Sequence, residues 1–227
     1  MEHFSIEPEM IRIPLFGGFE ISETLVSAIL ASFIIIFLAA IVRIFFIPRF
    51  KTIPGKFQLI LETSVDTANS YTSSKVGNKV STTLSPYIFA IALLIVVNGI
   101  FELIGMRAAM TDINFTLALA SITFILIQVY SIRKKGILKR LKAFTEPKAF
   151  LTPINIVTSL AVPVSLSCRM FGNILGGMIV MELLYSVAFL KWAIPGVLAV
   201  YFTVFHTLMQ AFIFITLSLA FINEGLE

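Results

Sequence analysis

The stretch AFLTPINIVTSLAVPVSLSCRMFGNILGGMIVM, residues 149–181, decides the fold. An uncharged run of 20 residues, Ala149 to Cys168, leads to Arg169, and 12 more uncharged residues follow, to Met181. About 20 apolar residues suffice to cross the hydrocarbon core as a helix, so a permanent charge lies inside a membrane segment. A guanidinium cannot shed its proton to escape that setting. At a bilayer centre it costs about 2.5–3.5 kcal/mol on insertion scales and roughly 10–17 kcal/mol in simulations of an isolated helix. Arg169 therefore has to face protein, water or a counter-charge. The default reading is an ion or proton pathway.

The rest of the chain has the same character. Hydrophobic residues make up 58% of the 227 and charged residues 13%, against about 25% charged in soluble domains. This composition predicts an all-α polytopic membrane protein, folded as one membrane domain over residues 1–227. Further uncharged runs fall at Thr24–Val42, Ser81–Phe101 and Ile113–Ile132. A fourth segment runs from about Ala149 to Leu190, interrupted by Arg169 and Glu182, and a fifth is the 32-residue run Trp192–Asn223. Five membrane-spanning helices are expected, with a sixth if segment four or five breaks. At roughly 1.5 Å per residue, the last two exceed a core of roughly 30 Å. Strong tilt, a kink or an extra turn must absorb the excess, and Pro153, Pro163 and Pro195 are the places for it. From Lys56 to Asn69, Phe57, Ile60, Leu61, Val65 and Ala68 recur at helical spacing opposite Glu62, Asp66 and Asn69. That pattern predicts an amphipathic helix lying along the inner membrane interface or on a partner, within an inner segment 52–80, rather than a span.

Positive residues give the orientation. Thirteen of them follow the first and third spans, from Arg43 to Lys79 and from Arg133 to Lys148, whereas the opposite side carries only three, Arg12, Arg107 and Lys191. The positive-inside rule then places the tail 1–23 outside and the C-terminus in the cytoplasm. The loop Arg133–Lys148 holds topology and could also bind anionic lipid. The start, MEHFSIEPEM, lacks the basic n-region of a signal peptide. Lone Cys168 excludes an intramolecular disulfide and a cysteine-based metal site. No basic patch is interleaved with aromatics, so nucleic acid is not an expected partner.

Most intramembrane polar residues gather in the last two segments. Arg169 and Asn173 are four residues apart and share a helix face. Gly172, Gly176 and Gly177 occupy the same stretch, and small residues let another helix approach closely; the plain alternative is glycine packing within the subunit. Glu182 lies 13 residues beyond Arg169, roughly 220° around the helix, so it is not the arginine's simple partner. It either serves a separate aqueous environment or sits at the outer interface. His206 and Gln210 are also spaced i, i+4, with Thr203 and Thr207 on adjoining faces, a stripe suited to a water-filled crevice. Asn98 and Glu102, with Asp112, Asn114 and Thr116 across a short outer loop, either form a polar mouth or cap the hairpin. No P-loop, HExxH, GxSxG or cysteine–histidine pair accompanies these groups, so neither catalysis nor a cofactor is expected. A self-contained transporter would use the same ionisable residues but should show internal repeats. A bare membrane anchor would not explain Arg169.

The run PVSLSCRMFGNILGG, Pro163 to Gly177, closely resembles the arginine-bearing helix of subunit a of the rotary F-type ATP synthases, a family with the pattern S-L-x-x-R-x-F-G-N. TDINFTLALA, from Thr111, and QAFIF, from Gln210, resemble two further blocks of that family and fall in family order. The resemblance covers roughly Ser81 to Ile222. It implies a stator subunit beside a ring of c subunits, with peripheral-stalk b subunits as further partners, in a bacterial inner (plasma) membrane. The pair 149–223 would be long, strongly tilted and face the ring. Two offset half-channels would carry protons or sodium ions to and from the ring, with Arg169 separating them. Asn173 and Gln210 match family polar positions near the arginine and outer half-channel, and Glu102 an acidic position at the outer entrance. Many bacterial members carry a glutamate nine residues after the arginine, where this chain has Met178. Glu182, one turn further, is the candidate replacement. Some members have a polar or ionisable residue seven positions before the glutamine; here that position is Thr203, and His206 lies four before.

Overall fold

A computed structural model describes residues 10–13, 19–51, 54–104, 106–136, 152–186 and 194–226. Among them are six α-helices: α1 (Glu23–Ile41), α2 (Lys56–Val76), α3 (Asn78–Leu103), α4 (Ile113–Lys135), α5 (Thr152–Ser186) and α6 (Ile194–Leu226). Five of these segments are long and apolar enough to cross a membrane, Glu23–Arg49, Asn78–Glu102, Ile113–Lys135, Thr152–Gly177 and Thr203–Leu226. The chain is thus an all-α, multi-pass membrane protein. Segments four and five continue as single helices within the described residues, so neither supplies a sixth span. α5 and α6 hold 35 and 33 residues, roughly 50 Å each. Pro153 and Pro195 stand second in their helices, where a missing N–H costs nothing. Pro163 lies inside α5 without ending it.

Local signals set the helix ends. The Ser22 hydroxyl accepts the Leu25 amide at 3.3 Å and Glu23 occupies the first turn of α1, a capped and dipole-matched start. α1 continues through a π turn, Val42–Phe46, and a 3-10 turn at Ile47–Arg49 that contains Pro48. α2 stops at Gly77, whose φ of 78° favours glycine, and α3 begins at the next residue. α4 ends in Arg133, Lys134 and Lys135, followed by Gly136 at φ 82°, a basic last turn with a glycine stop. Within the expected tail, Met10–Ile13 pairs antiparallel with Phe19–Ser22, in a register that sets Arg12 opposite Glu20. Helical periodicity carried no signal of this hairpin.

The chain divides into two compact units, residues 1–52, 93–115 and 171–210, and residues 53–92, 116–170 and 211–227. In the first, α1 buries a stripe of small residues, Thr24, Ser27, Ala28 and Ala31, and packs on the 3-10 turn Ala109–Thr111. The Thr24 hydroxyl donates to the Asp112 carboxylate at 3.1 Å, and that carboxylate also accepts the Asn114 amide at 2.8 Å. Asp112 therefore caps α4 and fastens α1. A Cβ on Gly99 would fall on the Thr207 side chain, so α3 and α6 meet there at backbone range. The second unit has an apolar core of Val76, Leu84, Ile88, Ile127, Leu219, Ile222 and Leu226. Hydroxyls stitch its helices together: Tyr71 to Thr216 at 2.7 Å, Tyr87 to Thr123 at 2.9 Å, Thr116 to Ser167 at 2.9 Å, and Ser131 to the Gly225 carbonyl at 2.8 Å. Such pairs average about 0.6 kcal/mol in a membrane protein; they orient the helices more than they stabilise them.

As expected, α2 is a helix that is not a span, and its apolar residues Phe57, Ile60 and Val65 are exposed. Its C-terminal end, with Tyr71, Thr72 and Val76, packs against the second unit's core.

Candidate functional site

α5 divides its faces sharply around Arg169. Leu166, Ser167 and Met170 are buried, while Val164, Ser165, Cys168, Arg169, Gly172 and Gly176 are exposed. Those exposed positions recur at three- and four-residue intervals, as one face of a helix requires. No ion pair or hydrogen bond holds Arg169 among the described residues. A Cβ on Gly172, Gly176 or Gly177 would meet nothing within 4 Å. The glycines therefore leave room that no other part of the described chain fills.

The first unit brings several of the singled-out residues together. Glu102 from α3, Asn173 and Gly177 from α5, and Thr203, His206 and Thr207 from α6 line one narrow cleft. Its volume is ≈ 10 Å³, space for about one water. Gln210 is 2% exposed, and its carbonyl oxygen accepts the Asn173 amide at 2.7 Å. That bond joins α5 to α6 through two side chains with further donor and acceptor capacity. Glu182 lies on the α5 helix, but its side chain, like that of Met178, is outside the described residues.

The second unit holds a cavity of ≈ 270 Å³ that sequence reasoning missed. Gln128 of α4, Asn155, Thr158 and Ser159 of α5, and Glu224 and Gly225 of α6 contribute its polar wall. The available signal was faint: Asn155 and Ser159 stand four residues apart on an apolar helix, and Glu224 sits one turn from the C-terminus. Each alone reads as packing or as a helix end. Among the described residues no cluster of three or more His, Cys, Asp or Glu could hold a metal ion.

Residues 25–223 match the family described as ATP synthase A chain. The chain belongs to that family. It is 34% identical over 130 residues to the "ATP synthase subunit a, sodium ion specific" of Propionigenium modestum, covering 57% of this chain and 44% of that protein. It is 32% identical over 201 residues to the ATP synthase subunit a of Wigglesworthia glossinidia brevipalpis, covering 77% of this chain and 72% of the relative. With the subunit a of Mycobacterium ulcerans it shares 28% over 225 residues, 91% and 87% of the two chains. The family match takes in every residue that lines either cavity except Glu224 and Gly225.

Proposed function

We propose that this chain is the ion-carrying stator subunit of a rotary ATP synthase, with the exposed face of α5 turned toward a ring of c subunits. The observation that carries the reading is Arg169: an exposed, unpaired guanidinium on a membrane-spanning helix, flanked by glycines that leave open space. Left against lipid, that charge would be expensive. A carboxylate on each passing ring subunit supplies the missing partner.

The two cavities take the roles of half-channels. The Glu102–Asn173–His206 cleft would load ions from outside, and the Gln128–Asn155–Glu224 cavity would release them to the cytoplasm. An ion entering from outside neutralises a ring carboxylate, which can then rotate into lipid. A carboxylate arriving at Arg169 gives up its ion, because a nearby fixed cation favours the charged form. The same guanidinium blocks direct leakage between the channels. Each charge crossing contributes about 2.3 kcal/mol per 100 mV of membrane potential, and rotation passes that work to the subunits that make ATP. In this reading the N-terminus lies outside, the C-terminus in the cytoplasm, and peripheral-stalk subunits hold the chain against the turning ring. Glu182 supplies the carboxylate absent at Met178; Glu182→Gln should slow pumping in an intact complex, and an unchanged rate would remove it from the path.

The test is ATP-driven pumping in inverted vesicles carrying the assembled complex, wild type against Arg169→Ala, with proton and sodium uptake followed separately. Pumping should be lost with assembly intact, and the ion whose uptake disappears is the coupling ion. Full pumping by the variant would reduce Arg169 to a structural residue.

A further inference from the structure

A third cavity belongs to neither ion pathway. It lies within the second unit, in the wedge between α2 and α3 on either side of the Gly77 turn, and encloses ≈ 650 Å³ with one side open. Near the turn its walls are polar, with Ser73 of α2 and Ser81 and Thr82 of α3, then Asn69, Ser70 and Ser85. Further from the turn they become apolar, with Val65 and Ala68 on α2 and Pro86 and Phe89 on α3. The wedge thus has a hydroxyl-lined end and an oily end.

Two groups at the polar end, and one lysine beside it, lack partners. The hydroxyls of Ser73, Ser81 and Thr82 donate to their own helices, to the carbonyls of Ser70, Asn78 and Lys79. Ser85 makes no hydrogen bond among the described residues, and its side chain borders the cavity. One residue on, Pro86 inside α3 has no N–H, so the Thr82 carbonyl loses its i+4 amide. Lys79, in the first turn of α3, does not line the wedge but lies one turn before Thr82; it is exposed and has no ion pair among the described residues. Its companion across the turn, Lys75, instead lies 5.9 Å from the centre of the Tyr71 ring. Glu62 and Asp66 of α2 do not line the wedge.

We propose that this wedge binds an anionic glycerophospholipid with a hydroxylated headgroup. The phosphate accepts from Ser85, Asn69 and Lys79, a headgroup hydroxyl donates to the Thr82 carbonyl, and an acyl chain covers Val65 and Phe89. Its volume lies within the roughly 300–1,000 Å³ of ordinary ligand sites. The wedge adjoins the first turns of a helix long and apolar enough to cross a membrane. Bound there, the lipid would hold α2 at a fixed angle to α3.

The experiment uses the assembled ATP synthase in vesicles containing a photoactivatable phosphatidylglycerol, with adducts mapped on residues 65–89. Adducts should form there, and be displaced by excess phosphatidylglycerol but not by phosphatidylcholine. Asn69→Leu combined with Ser85→Ala should lower the yield at least about tenfold, the low end for one hydrogen bond to a charged group. Ser85→Thr, which keeps the hydroxyl, should retain it. If the double variant fails to assemble, Asn69→Leu alone, at an exposed position, carries the same expectation at smaller amplitude. Equal displacement by phosphatidylcholine, an unchanged yield in the variants, or a stalk helix cross-linked in the wedge in place of lipid would each overturn the proposal.

Discussion

Helices α1 and α5 both leave much of their surface uncovered, and what they uncover differs. On α1 the exposed side chains are large and apolar: Ile29, Phe33, Ile36 and Phe37 are 56–68% exposed, and Phe33 stacks on Phe37 with ring centres 6.2 Å apart. On α5 the exposed face around its middle carries Val164, Ser165, Cys168, Arg169, Gly172 and Gly176, mostly small residues beside one charge. Large apolar side chains are what lipid tails accommodate. Small residues beside a charge are what a second helix needs for close approach. Exposure alone would rank the two faces alike; residue size and charge say which medium each meets.

Substitutions on the two faces test that distinction. After Arg169→Ala, the largest expected loss comes from Gly176→Leu, which fills the space beside the arginine. It should cut coupled pumping by roughly tenfold or more while the chain still inserts, because bulk at a small-residue interface holds backbones apart. Phe33→Leu on α1 exchanges one lipid-suited side chain for another and should leave pumping within about twofold. Equal losses from both would erase the contrast. An effect between those two is expected from Gln210→Leu, which removes the acceptor of the Asn173 amide at 2.7 Å. One unmade buried hydrogen bond corresponds to a roughly five- to tenfold slower rate if it acts in the rate-limiting step. Measured pumping rates in assembled complexes would read it, and an unchanged rate would make that bond purely structural.

Spans and class were legible because burial in lipid imposes length and hydrophobicity on every crossing segment. α2 was legible because its two faces differ in polarity. The prolines were less legible: Pro153 and Pro195 begin helices, and Pro163 stands inside α5 without ending it. At the site, Glu102, Asn173 and His206 could each be singled out as polar residues in apolar runs. Their meeting in one cleft needed the packing of three helices. The Gln128–Asn155–Glu224 cavity stayed hidden for the same reason, since its residues come from three helices far apart in the sequence and none forms a motif. Tertiary partners that share no local spacing leave no mark on a single sequence.

The most direct measurement uses the chain's own lone cysteine, Cys168, which is exposed beside Arg169. In the assembled complex, with single cysteines introduced along the outer helix of the ring subunit, oxidation should join Cys168 to the ring. A Cys168→Ser chain carrying Phe33→Cys should give no such product. Cross-linking through position 33 and none through Cys168 would contradict the account, since α1 rather than α5 would then face the ring.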